Sequence, residues 1–516
     1  MSFFKKKENI LYITSAIILA LIPIVALLGR LLVNRHTLTD VWPISSTWND
    51  EAMYYKQVES IVKFGIPQGF FGYNESSAAH LSFGAWNPVI FLFWALWGKV
   101  FGWSFTSPYI FNTVFFALSL LVFGLLSKIK IKEACLICLS FLAFTPLSRF
   151  LLSYMPETFI WGLLIILTGL YISSEKKFTY IKIIFMFFIL FFLVLIRPYF
   201  AVLFIFPFLL SFNSQKKKKA LMIIISAVLC ILSVVLFFIL GKAFTAAYVK
   251  DVSNNFFSKI STHGPRLVLK EMLDVLKYNN ALVFFYIKQS FSSSSHLGAY
   301  YFTFIASSLL ILVRAVTAFA KKDNLDTKLK YASLFISQAL VYLSIMVLYN
   351  IDSGYRHVIC FIILDFILLL TDAKLRSSVK YIAEALYITL FIFFFIIKGN
   401  IPEIYDVPYL DPDNSERTEF ANDKESLNGL LVISKNSRWN NTIDVLLAEG
   451  SSLDSFYILP TGFGINLCER DYLEANITDL KSSYLELPAD DSLINTALNL
   501  GWKVLYQNKK VAILSK

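Results

Sequence analysis

The sequence predicts a polytopic α-helical membrane protein of about eleven spans, followed by a small C-terminal α/β domain. Three observations lead there. The 516 residues are 57% hydrophobic and only 16% charged, and the mean hydropathy is +0.62, too apolar for a water-soluble chain of this length. Apolar runs of spanning length recur along the first 400 residues. The lysines between those runs fall on alternate connections, as the positive-inside rule requires of membrane spans.

The runs lie near residues 10–33, 108–127, 134–152, 156–173, 180–196, 198–212, 220–240, 298–319, 331–349, 357–371 and 380–397. The first is preceded by the basic Lys5–Lys7 and lacks a small-residue cleavage site, so it reads as an anchor span and not as a removed leader. Lys128, Lys130, Lys132, Lys176, Lys177, Lys216–Lys219, Lys321, Lys322, Lys328, Lys330, Lys374, Arg376 and Lys380 share the side of the amino terminus. The opposite short connections hold little beyond Arg149, Arg197 and Arg356. The amino terminus is therefore expected in the cytoplasm, with segments 36–107 and 241–297 and the tail outside. Lysines at both ends of the stretch around Arg197-Pro198 ask for a hairpin with Arg197 at its outer turn.

Within the second outer segment, Arg266 to Lys277 is amphipathic and too charged to span, and reads as a helix in the interface. Residues 1–400 thus form the membrane domain and 401–516 the extracytoplasmic domain. In the tail, Val504–Tyr506 and Val511–Leu514 flank Gln507–Lys510 as a hairpin. The tail holds about 18 acidic and 10 basic residues, so the net charge of +11 belongs to the membrane part, where basic loops facing an anionic leaflet explain it without nucleic acid. Cys135-Leu-Ile-Cys138 has redox-motif spacing but sits in an apolar helix without neighbouring ligands, and the lone tail Cys468 excludes a domain built on disulfides.

Segment 36–107 concentrates the polar chemistry. Asp50 and Glu51 precede Tyr54, Val58, Ile61 and Val62 at helical spacing, which puts both carboxylates on the first turn of a short amphipathic helix. Acidic residues are favoured there by the helix dipole alone, so spacing leaves the structural and the catalytic readings level. Gly84 to Trp103, through Asn87-Pro88, forms a second apolar helix, too short to span without spoiling the charge alternation and expected along the outer surface. Glu157 opens a span from the outside, as an interfacial cap or a working acid. Arg197 and Arg356 are cations at outer turns, either snorkelling or functional. Asp365 lies deeper, nearer the cytoplasmic side, and is expected to have a structural partner.

The order of these features, with a cytoplasmic amino terminus, one span, an outer loop opening on Asp50-Glu51 and a polar-Pro helix ending in Phe101-Gly102 before the second span, resembles the GT-C fold glycosyltransferases. The resemblance is to bacterial relatives of the protein O-mannosyltransferases and the lipid A aminoarabinose transferases, and covers about the first 400 residues. Asn87-Pro88 stands where those families often carry His-Pro-Pro, with His80 nearby but out of register. The resemblance implies a second acidic residue at Glu157. It also implies a lipid-phosphate contact in Asp352-Ser-Gly-Tyr355-Arg356-His357, with Arg197-Pro-Tyr199 at the neighbouring turn. On this reading Asp50, Glu51 and Glu157 are catalytic, and Arg356, Arg197, His357 and Tyr355 hold the donor phosphate. His80, Asn87, Tyr199 and Asp352 then line the acceptor or sugar pocket.

The implied reaction moves one sugar from a polyprenyl-phosphate donor to an extracytoplasmic glycan at a bacterial membrane, with inversion and with no metal or other cofactor. Membrane lipids are the remaining partners. Two alternatives are a lipid-linked saccharide flippase, which would show inverted repeats and polar residues at mid-membrane, and an envelope scaffold whose working part is the tail.

Overall fold

The computed structural model describes residues 2–41, 50–65, 71–75, 88–211, 216–244, 264–292, 297–321, 323, 325–348, 351–372, 374–397, 415–431, 445–448 and 455–516. Its membrane part consists of α1 (Ser2–Val33), α2 (Asp50–Phe64), α3 (Leu92–Phe101), α4 (Ser107–Ser127), α5 (Ile131–Ala143), α6 (Pro146–Leu151), α7 (Glu157–Lys176), α8 (Tyr180–Ile196), α9 (Ile205–Ser211), α10 (Lys216–Phe244), α11 (Pro265–Ser292), α12 (Leu297–Ala320), α13 (Leu325–Leu348), α14 (Ile351–Thr371) and α15 (Ser377–Phe391).

Among the described residues, eight of the eleven expected runs form helices long and apolar enough to cross a membrane: α1, α4, α7, α10, α12, α13, α14, and α15 with its π-helical extension Ile392–Ile397. The chain is a multi-pass membrane protein. The run 134–152 departs from expectation. Thr145-Pro146 breaks it into α5 and the six-residue α6, because proline removes a backbone donor and disfavours helix before it. Around Arg197 the chain makes a 17-residue helix, then a 3-10 segment Pro198–Phe204 and the short α9. Arg197 itself is extended, with φ −145° ahead of Pro198. The Phe187 and Phe204 rings lie 6.3 Å apart, so the chain doubles back there as a hairpin.

α7 and α14 are the two spans almost wholly enclosed by protein, and the other candidate spans wrap them with one face outward. The short helix α3 buries Trp94, Ala95 and Gly98 against the bundle and leaves Leu92, Leu96, Val100 and Phe101 exposed as an apolar outer face. The amphipathic Arg266–Lys277 patch is the first half of the longer α11, whose second half packs on α12 so closely that a Cβ on Gly298 would overlap the Tyr286 carbonyl. Asp365 has the structural partners expected of it: Ser307 donates at 2.6 Å, Gln338 also donates, and the Ser307 hydroxyl is 2.7 Å from that of Tyr387.

The tail contains α16 (Ser415–Leu430), α17 (Ser455–Ile458), α18 (Arg470–Asn476) and α19 (Leu493–Asn499). They accompany a six-stranded sheet of β1 (Phe71–Tyr73), β2 (Val445–Ala448), β3 (Ile465–Cys468), β4 (Tyr484–Pro488), β5 (Lys503–Gln507) and β6 (Val511–Ser515), in the order β1-β3-β2-β4-β6-β5. The expected hairpin is β5–β6, which pairs Tyr506 with Ile513. β1 to β4 are mutually parallel, and β6 returns antiparallel to β4. The edge strand β1 comes from the segment between α2 and α3, nearly 400 residues before β3. Its attachment is reinforced by side chains. Asn74 accepts from the Glu469 amide at 2.9 Å, and Glu75 accepts from the Lys481 and Ser482 amides, both at 2.9 Å, and from the Ser482 hydroxyl at 2.6 Å.

Candidate active site at the head of the two enclosed helices

The enclosed helices α7 and α14 both begin at one end of the bundle, and the chemistry expected from the sequence collects there. The break at Thr145-Pro146 matters first, because it turns α6 across the bundle and buries Arg149. Asn112 of α4 then holds the following turn, donating to the Ser153 carbonyl at 2.9 Å. The next four residues, Tyr154-Met155-Pro156-Glu157, touch every element of the site. The Tyr154 amide donates to Glu51 Oε2 at 3.3 Å. Arg356 Nη1 lies 3.8 Å from Met155 Sδ. Glu157 Oε1 accepts from Arg197 Nη2 in an ion pair buried on both sides. Four consecutive residues span at most about 11 Å between Cα atoms, so Glu51, Arg356 and Arg197 are held within one small region.

A second chain of contacts leaves Arg197. Its Nη1 donates to the Tyr199 hydroxyl at 3.3 Å, and that oxygen is 2.8 Å from His357 Nδ1. The Tyr199 hydroxyl thus bridges the guanidinium and the imidazole, and the His357 tautomer sets which of the two gives the hydrogen. Tyr355, one residue before Arg356, stacks on Tyr300 with ring centroids 4.8 Å apart. Arg197 is almost fully buried, while Arg356 is half-buried and the more open of the two.

Glu51 is buried, with Arg149 Nη2 3.8 Å from its Oε1. Sequence reasoning noted Arg149 only as an exception to the charge pattern. The usable signal was a lone cation inside an apolar run, which marks function or pairing by default. Asp50 opens α2 beside Glu51, but its side chain lies outside the described residues, as does that of Asp352, while His80 and Asn87 lie outside them altogether. The structure therefore brings together Glu51, Glu157, Arg197, Tyr199, Arg356 and His357, with Tyr355 alongside.

Lys56 and Glu59, on the same helix as Glu51, were missed. Lys56 is wholly buried; its Nζ is 2.9 Å from Glu59 Oε2 and donates to the Leu459 carbonyl. Burial pushes the Lys56 pKa down to about 7, against the pull of Glu59. Burial acts to raise the Glu59 pKa, but Lys56, Lys424 and Lys63 outweigh it and hold the carboxyl well below the usual range.

At the far end of α7, about 30 Å away for a 20-residue helix, a cavity of about 240 Å³ is lined by Lys176, Lys330 and Lys374 and by Glu175, Asp326 and Asp372. Its charges balance, and it takes no part in the site.

No family model matches the sequence, and no curated protein does. Among solved structures, ArnT from Cupriavidus metallidurans bound to undecaprenyl phosphate is similar over 95% of this chain and 97% of that one, with a TM-score of 0.50 and 10% identity. The fold is GT-C. The apo state of the same protein covers the same shares, with a TM-score of 0.49 and 9% identity. The coverage extends the GT-C likeness beyond the 400 residues expected from sequence and into the tail.

Proposed function

We propose that this chain is a membrane glycosyltransferase that moves a single sugar from a polyprenyl-phosphate donor to an extracytoplasmic acceptor, a cell-wall or surface polysaccharide, by inverting direct displacement. The observation that carries the reading is the convergence on Tyr154–Glu157 of an acid from α2 and cations from the heads of α14 and the Arg197 turn. A GT-C fold shared with a protein crystallised with undecaprenyl phosphate supports the same lipid class here. The amino terminus is cytoplasmic and the site faces outward, in line with the lysine distribution.

In the reaction, the acceptor oxygen attacks the anomeric carbon while the bond from that carbon to the phosphate oxygen breaks. The acceptor proton passes to Asp50, with Glu51 orienting the hydroxyl. Arg149 fixes Glu51 and keeps a counter-charge beside it. The donor phosphate is a diester that leaves as a monoester and gains one negative charge, which Arg356, the more open cation, receives through charge-assisted hydrogen bonds. Glu157 pairs with Arg197 and aims it, and Tyr199 links it to His357, so these four position the phosphate side as a unit. No metal is needed, because the phosphate is already a competent leaving group.

Membranes supplied with a radiolabelled polyprenyl-phosphate sugar test this directly. Label should pass to polymer, unchanged in rate by chelator, and Asp50→Asn should cut transfer by about a hundredfold or more at equal amounts of folded protein. Full activity in Asp50→Asn removes that base, and absence of transfer from every such donor removes the function.

A further inference from the structure

α2 presents Glu51 from its first turn, and its later turns are held by the tail. Glu59 Oε1 accepts from Lys424 of α16, and Glu59 Oε2 accepts from the Thr461 hydroxyl as well as from Lys56. Lys63 adds a weaker contact at 3.9 Å. Lys56 in turn donates to the Leu459 carbonyl, so Lys56 and Glu59 are each completed by residues roughly 400 positions further on. Beside them, the Tyr55 ring packs at 5.3 to 5.5 Å on Trp103, Phe105, Tyr154 and Tyr457. Lys424 lies over the same ring at 5.7 Å. Tyr154 is the residue whose amide holds Glu51.

An apolar interface would have attached the tail to α2 without removing a lysine and a glutamate from water, and it would have tolerated rotation. Buried charges with directional partners do not: each donor around Glu59 fixes one angle. A side-chain tip on a helix lies about 5–6 Å from the axis, so a turn of about 20° would shift Glu51 by roughly 2 Å. A misplacement of about 1 Å can cost a reaction a hundredfold.

We infer that Lys56, Glu59, Lys424 and Thr461 are positioning residues, through which the tail sets the rotation of α2 and hence the place of its carboxylates in the site. This rests on the reading of that site as a glycosyltransferase.

The test uses the full-length protein in lipid nanodiscs, with two readouts: amide exchange across Asp50–Phe64, and steady-state transfer from the polyprenyl-phosphate sugar. Glu59→Gln keeps the shape and removes the charge. It should raise exchange in α2 at least tenfold and lower kcat at least tenfold, with the donor KM unchanged within twofold. Thr461→Val, a milder change that removes one donor, should move both readouts in the same direction by about threefold, and Lys424→Arg should stay near wild type. Unchanged α2 exchange in both Glu59→Gln and Thr461→Val overturns the inference, as does a kcat that falls only in step with the folded fraction. Wild-type protein that transfers no sugar overturns the functional reading and the positioning role with it, whereas active wild-type protein with indifferent variants overturns the positioning role alone.

Discussion

Glu157→Gln should be among the most damaging single substitutions outside the hydrophobic packing, and the reason can be worked from the Arg197 surroundings. Both partners are nearly inaccessible, at 0% for Glu157 and 4% for Arg197. Once the carboxylate charge is gone, the guanidinium has one other side-chain hydrogen-bond partner among the described residues, the Tyr199 hydroxyl at 3.3 Å. A buried ion stripped of its counter-charge costs about 3–5 kcal/mol, against a total stability of about 5–15 kcal/mol for a typical domain. The double variant Glu157→Gln with Arg197→Met removes both charges, and neutral groups of similar size cost little or nothing at such sites. The double variant should therefore be more stable than Glu157→Gln alone, with a coupling of about 2 kcal/mol or more. Reversible unfolding in bicelles, run as a double-mutant cycle, measures this. Additive single effects, or a Glu157→Gln cost below about 1 kcal/mol, would refute the buried-pair reasoning.

Two further outcomes follow from other places in the fold. Lys56 has a folded pKa near 7 and a free value of 10.5, so between those pH values the unfolded chain holds more protons and stability rises with pH; the depressed Glu59 carboxyl adds stability present above its free value of 4.5 and lost as pH falls below it. Protection of the Ser455–Thr461 amides against pH should show both arms, and Lys56→Met should flatten the upper one. Gly298→Ala places a methyl group on the Tyr286 backbone, forces α11 off α12 and should cost about 1–3 kcal/mol; an alanine variant as stable as wild type contradicts that packing.

The elements with strong periodicity were legible in the sequence. Eight apolar runs became long helices, α2 begins at Asp50, and the β5–β6 hairpin stands where its turn residues put it. The break at Thr145-Pro146 was written in the proline but hidden by a run whose length satisfied a span. Pairings between distant segments were not legible. Nothing local to Arg197 names Glu157 as its partner, and nothing local to Lys56 names Leu459. A three-residue strand such as β1 has too little pattern to register as a period. Arg149 lay between these cases, because its position in an apolar run was visible while its partner Glu51 was not.

The seat of β1 has a consequence for how the molecule is put together. β3 needs Phe71–Tyr73 along its flank, so residues 415–516 made without the segment between α2 and α3 would present an unfilled edge, open to adventitious pairing and clumping. In the growing polypeptide the same dependence works in reverse. The strand is synthesised early and waits through all the intervening spans for its neighbours, so the sheet completes itself only after β3 has been made, and a translation product truncated before β3 is left with β1 unpaired.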